Sequence, residues 1–379
     1  MIFSNNLARA TVFLVVVSWM PAVGSAQLSE NEVAQFLPAK SVLVVSFNME
    51  AILESLDEEA AILNKFRQRQ SASLLDFTEI KQRLIVVFSS ELDEITPLDF
   101  PLVTFDRYPD EVAREKILES ANKQNPELVL YEPTTLDGVD LLVGKYQMDF
   151  GGMSLSESAF YFPKADMVGS GSLPVIKELL GEQSQDAEGA EFTIDLDLEA
   201  EFHLILESGK NLTQISEVAT ILNMLASDMQ IPIPDGGSLI EMVEALDRLE
   251  IIFDADRMTP FQASLKFNSE ETAEQVEQLI NAGMQTLPAL FTMLESEPLP
   301  EEMKDDLNLF LNLAKQSHKE LKVERAGDAI DISLSGVEGL DKLPAHVARF
   351  TMQQQINIDK LKQEFGDIEV ELSVDDDDR

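Results

Sequence analysis

Pro101–Ala113 reads PLVTFDRYPDEVA, and Phe261–Ala273 reads FQASLKFNSEETA, 160 positions further on. Each is a strand-like apolar run that leads directly into an acidic helix start. In the first, Pro109 suits the first helical position, where a missing N–H costs nothing. In the second, Asn268 can cap the helix, with Glu271 three residues on. Acidic residues fill both first turns, as the helix dipole favours. The same spacing of 160 relates Ser41–Ser46 (SVLVVS) to Glu201–Leu206 (EFHLIL).

A third pair of stretches closes the pattern. Glu127–Leu130 runs into Asp137–Gly144, and Glu320–Val323 runs into Gly327–Gly336. Both read as a strand, a glycine turn and an alternating second strand. Here the spacing is 193, so the second copy carries about 33 extra residues before its hairpin. Those residues are helical in pattern. Ala273, Val276, Leu279, Ile280, Met284 and Leu287 fall at helical spacing, and Met303, Leu307, Phe310, Leu311 and Ala314 do so after Pro298 and Pro300.

The expected fold is therefore α+β, with two related modules. Each is a mainly antiparallel sheet with helices packed on one face, a split βαβ or ferredoxin-like arrangement with helical insertions. The expected boundaries are a signal peptide at 1–26, a first module at 27–180, a polar linker at 181–191 (GEQSQDAEGAE) and a second module at 192–338. Residues 339–379 form a final helix, Pro344–Phe365, and an acidic tail. Further helices are expected at Leu173–Leu180 and Asn211–Met229. Another follows the capping box of Ser238 and Glu241. Ser158–Met167 reads as a strand pair turning near Lys164–Asp166, and Arg248–Asp254 as a strand.

The run SVLVVSFN from Ser41, the acidic helix starts after Tyr108 and Asn268, and the two closing hairpins carry a resemblance. Over most of residues 40–336 the chain resembles uncharacterised secreted proteins of planctomycete-type bacteria, related to a bacterial domain of unknown function. That resemblance implies paired modules of this fold. It carries over no catalytic residue.

The first 26 residues read as an export signal. Arg9 supplies a basic n-region, Ala10–Met20 an apolar run of about 11 residues, and Pro21 a break. Gly24 and Ala26 put small residues at the −3 and −1 positions before Gln27. The run is too short for a bilayer, which needs about 20 residues. The expected mature protein is soluble, bacterial, and periplasmic or extracellular. The chain has no cysteine, which removes thiol nucleophiles, thiolate metal sites and lipid attachment at a lipobox.

Charge is lopsided: 28 Lys+Arg against 69 Asp+Glu give −41. Such a surface repels nucleic acid and anionic lipid, and attracts divalent cations weakly. Partners among nucleic acids and anionic membranes are therefore not expected.

Candidate chemistry is sparse. The three histidines, His203, His318 and His346, show no metal-ligand spacing. Asp195 and Asp197 precede His203 at alternating positions. Ser154 lies in GMSLS, which lacks the last glycine of a nucleophile elbow, and Ser120–Lys123 is a lone Ser-x-x-Lys. Gly169–Ser172 (GSGS) precedes a helix and could cradle an anion, but reads better as a plain turn. Asp375–Asp378 offers flexible carboxylates without a cage. Met224, Met229, Met242, Met284, Met293 and Met303 fall in the helices of the second copy, and suit an apolar core or groove. No catalytic or cofactor-binding residue stands out and no cofactor is expected. The expectation is an exported, non-catalytic protein with a binding or structural role. Alternatives are a carrier or chaperone for an apolar ligand, or a hydrolase with a dispersed carboxylate site.

Overall fold

A computed structural model describes residues 41–50, 80–88, 102–124, 129–136, 138–147, 157–185, 196–209, 211, 239–255, 257–296 and 304–340. The strands are β1 (Ser41–Asn48), β2 (Gln82–Phe88), β3 (Leu102–Arg107), β4 (Val129–Leu136), β5 (Val139–Tyr146), β6 (Ser158–Lys164) and β7 (Met167–Ser172) in the first half. The second half contributes β8 (Phe202–Leu206), β9 (Leu246–Phe253), β10 (Phe261–Phe267), β11 (Lys322–Ala326) and β12 (Ala329–Leu334). The described helices are α1 (Arg114–Gln124), α2 (Leu173–Gln185), α3 (Leu239–Glu244), α4 (Glu270–Ser296) and α5 (Lys304–Glu320).

The twelve described strands form one sheet, in the order β11-β12-β10-β9-β8-β1-β2-β3-β7-β6-β5-β4. Every pairing is antiparallel. One row of directly opposed residues crosses the sheet: Pro133, Leu142, Phe160, Ser170, Thr104, Ile85, Val45, Leu204, Ile251, Ala263, Ile332 and Val323. The α+β class holds, as a mostly antiparallel sheet with a few helices. A ferredoxin-like unit sets two parallel strands side by side, and no neighbouring pair among the described strands does so.

The helices do not share one face. In the first half, Val44, Leu84, Val86, Val103 and Phe105 pack against Val175, Ile176 and Leu179 of α2 and against Leu196 and Leu198. On the other face, Val45, Phe47, Leu142, Phe160 and Val168 pack against Ile117 of α1. The physical reason lies in the strands. Leu141, Leu142 and Val143 are consecutive and all buried, as are Val44 and Val45. An unbroken apolar run needs cover on both sides. The second half behaves differently: Ala273, Val276 and Ile280 of α4 cover Phe267, Leu265, Ile330 and Ile332. Between them, Gln262, Ser264, Lys266 and Asp331 are exposed on the opposite face. That alternation fits a sheet that, among the described residues, is covered on one side.

Both expected hairpins form, as β4–β5 and β11–β12. They occupy different places. β12 lies beside β10, whereas β7 lies beside β3, and β4–β5 is pushed to the sheet edge. The helix α2 runs on to Gln185, into the stretch expected to be linker. The expected helices at Asn211–Met229 and Pro344–Phe365, the leader and the acidic tail lie outside the described residues.

Candidate functional site

The loop after β3 builds the walls of a depression. Tyr108 N–H donates to Asp166 O at 2.8 Å, and Val112 N–H to Ala165 O at 2.7 Å. These bonds fasten the loop to the β6–β7 turn. Arg107 adds an ion pair to Asp166 at 2.8 Å. The first residue of α1, Arg114, then lies over the Phe162 ring with its guanidinium carbon 5.0 Å from the centroid. Arg114 also pairs with Asp140, whose other oxygen accepts from Thr135 at 3.3 Å. Two adjoining hollows result. One, of about 380 Å³, is lined by Arg114, Leu118, Pro133, Thr134, Asp140 and Phe162. The other, of about 700 Å³, is lined by Glu111, Val112, Arg114, Phe162, Pro163 and Lys164. Both are open to solvent and share Arg114, Glu115 and Phe162. They combine an aromatic and proline floor with a cation fixed at the junction.

A second polar centre is buried. His203 on β8 is 1% exposed. Its Nδ1 accepts the Asp197 backbone N–H at 2.7 Å, and its Nε2 lies 3.2 Å from Glu250 Oε1. With Nδ1 accepting, the proton sits on Nε2 and points at Glu250. Burial holds the His203 pKa below its ordinary value, against the opposing pull of Glu250 and Asp197. Asp197 does not turn its carboxylate to His203. It caps the N–H groups of Glu199 and Ala200 at 3.2 Å, and bonds Arg257 at 2.6 Å. Arg257 foremost, with the capped N–H groups, pulls its pKa below the ordinary carboxylate value.

The remaining sequence candidates are scattered. His318 lies near the end of α5, its ring 6.1 Å from that of Phe291 on α4. Ser120 and Lys123 lie late in α1, where Lys123 pairs with Glu119 one turn back. Gly169–Ser172 is not a turn; it is most of β7. Met242 lies in α3, and Met284 and Met293 lie in α4. Asp195, His346, Ser154, Met224, Met229, Met303 and Asp375–Asp378 fall outside the described residues. Among the described residues, no group of three or more His, Asp or Glu side chains is gathered to hold a cation. No described helix is long and apolar enough to cross a membrane.

The sequence places Asp197 and His203 at alternating positions of an extended stretch and reads that face as solvated and acidic; instead His203 is buried on β8, and Asp197, ahead of the strand, meets it through its backbone N–H. Sequence reasoning missed the Arg114–Phe162 depression, which depends on a contact across 48 residues of chain. No protein family matches the chain, and no curated protein or solved structure matches it either.

Proposed function

We propose that this is an exported protein that binds a small ligand without turning it over, and that the Arg114–Phe162 depression receives that ligand. The carrying observation is the guanidinium held over the aromatic ring beside an apolar floor. A cation fixed against a ring suits a planar ligand that also bears an anionic group. The hollows fall in the size range of small-molecule sites, about 300–1,000 Å³. The leader supports export.

The test uses 8-anilinonaphthalene-1-sulfonate, which has both a fused ring and a sulfonate. It is expected to bind the full chain, with Phe162→Ser weakening binding at least tenfold. Absence of binding overturns the reading. Export is tested apart from binding: protein recovered from cells is expected to begin at Gln27, and material still beginning at Met1 refutes it. A carrier role through α4 is a second reading, favoured by Leu290 and Met293, which are 44% and 43% exposed. Dye binding that survives Phe162→Ser but is lost on Leu290→Ser with Met293→Ser favours that reading.

We further infer that the sheet arose from a duplicated unit, as the resemblance to paired-module secreted proteins implies. Support comes from the central pair, Val45 opposite Leu204. Outward from it, Ile85 and Ile251 follow, then Thr104 and Ala263, then Ser170 and Ile332. The related spacing from Val45 to Leu204 is 159, one less than the sequence match. An odd value is required by a two-fold axis normal to the sheet, because directly opposed residues point to the same face. On this reading β6–β7 is the partner of β11–β12, and β4–β5 and α5 are additions.

A further inference from the structure

We propose that His203 is a proton-operated latch on the segment Leu196–Glu201, which crosses one face of the sheet before entering β8. The segment plugs the core. Leu196 and Leu198 are 1% and 6% exposed and pack with Val44, Val86 and Ile205. Asn48 fastens its far end: Asn48 Nδ2 donates to Glu199 O at 2.9 Å, and Asn48 N–H to Glu201 O at 3.1 Å. Its near end is fastened by Asp197 N–H on His203 Nδ1.

The chemistry at Nδ1 sets the switch. As an acceptor it must be unprotonated. Adding a proton there sets two N–H donors head to head in a buried site, and the Asp197 bond breaks. The charged and titratable groups around the ring come from each neighbouring element. β9 supplies Glu250, and behind it Arg248, bound to Glu250 at 3.3 Å and to Glu207 at 2.7 Å. The segment supplies Asp197, which is engaged with Arg257, itself bound to Asp254 at 2.7 Å. On its own strand face, Glu201 lies two residues back. β1 offers only neutral Ser46, opposite His203, with Gln82 at 3.5 Å beyond it. Glu250 receives the Nε2 proton in either charge state, so the change falls on Nδ1 alone.

The sign follows from burial. The folded pKa lies below the ordinary 6.5, so the unfolded chain takes up the proton first. The latch is fully closed above about pH 6.5 and weakens as pH falls toward the folded value. Acid thus weakens the near-end hold on Leu196 and Leu198, while the Asp197–Arg257 pair and, at the far end, Asn48 remain in place.

The chain has no cysteine, so Leu198→Cys is a unique reporter. Its labelling by 4,4′-dithiodipyridine, which reacts in acid, is compared with the same protein carrying His203→Gln. Glutamine can accept from Asp197 N–H and does not titrate. The ratio of rates, histidine over glutamine, is expected to rise at least fivefold from pH 7 to pH 5. A ratio independent of pH overturns the proposal. On the unsubstituted chain, ¹⁵N NMR is expected to show the Nε2–H form at pH 7. The Asp197 amide signal should shift with the same midpoint as His203. Titration of His203 at or above 6.5, or an Asp197 amide that ignores it, also overturns the latch.

Discussion

Gly169 and Gly144 each lie directly beneath a tyrosine ring from the neighbouring strand. A Cβ on Gly169 would stand 2.0 Å from Tyr161 Cε1, and one on Gly144 would stand 2.6 Å from Tyr131 Cε1. Gly169→Ala is therefore expected to cost about 1–3 kcal/mol by overpacking, read from urea unfolding. Tyr161 also carries a buried hydroxyl without a hydrogen-bond partner among the described residues. Burial raises its pKa well above the ordinary phenol value. Tyr161→Phe keeps the ring over Gly169 and is expected to stabilise by about 1 kcal/mol in the same assay. The pair Arg83–Asp106 is a different case. Both side chains are buried, and Nη2 meets Oδ2 at 2.7 Å. Burial pushes the Asp106 pKa up while Arg83 pulls it back. Asp106→Ala, which takes the carboxylate away from a buried guanidinium, is expected to cost about 3–5 kcal/mol. The double change Arg83→Met with Asp106→Leu should cost much less. None of this was legible in the sequence. GSGS has turn composition, and the ring of Tyr161, eight residues earlier on the neighbouring strand, explains why glycine occupies position 169 of a strand.

Among elements, β10 and β12 were readable because one face is wet. FQASLKF and AIDISL alternate, and the structure buries Ala263, Phe267, Ile330 and Leu334 while exposing Gln262, Lys266 and Asp331. β1 also announced itself, but its unbroken SVLVVSF carried a second message. A strand apolar on both faces predicts two covering layers, which the expectation of helices on one face overlooked. The sheet ends on β4 and β11, whose outer edges could pair with another chain. Pro133 interrupts β4, and Lys322, Glu324 and Arg325 charge β11. Both are ordinary ways of blunting an edge. Pro133→Thr is expected to raise self-association, seen as a concentration-dependent sedimentation coefficient. The Leu196–Glu201 segment has its own acid window, separate from that of His203. The Asp197 pKa is lowered, so its contribution is complete above about pH 3.9 and is lost as pH falls further. Asp197→Ala is expected to cost about 1 kcal/mol at pH 7, and progressively less as pH falls below about 3.9.

For the whole molecule, composition was a reliable guide to charge and to class but not to the placement of the parts. The repeated strand-and-helix pattern signalled α+β. No residue pattern revealed that both halves would enter one sheet, because strand pairing across 160 residues leaves no local mark. The net charge of −41 opposes compaction. Raising ionic strength from about 10 mM to 150 mM shortens the screening length from about 30 to 8 Å, and the melting temperature is expected to rise by several degrees. The β1–β8 pairing, with Phe47 and Phe202 stacked edge to face at 5.3 Å across it, has one more consequence. A polypeptide ending at Gln185 and another starting at Leu196 would each present a naked, greasy strand to solvent. Mixed together, they should reassemble like a zipped garment; kept apart, each should precipitate or clasp a copy of itself.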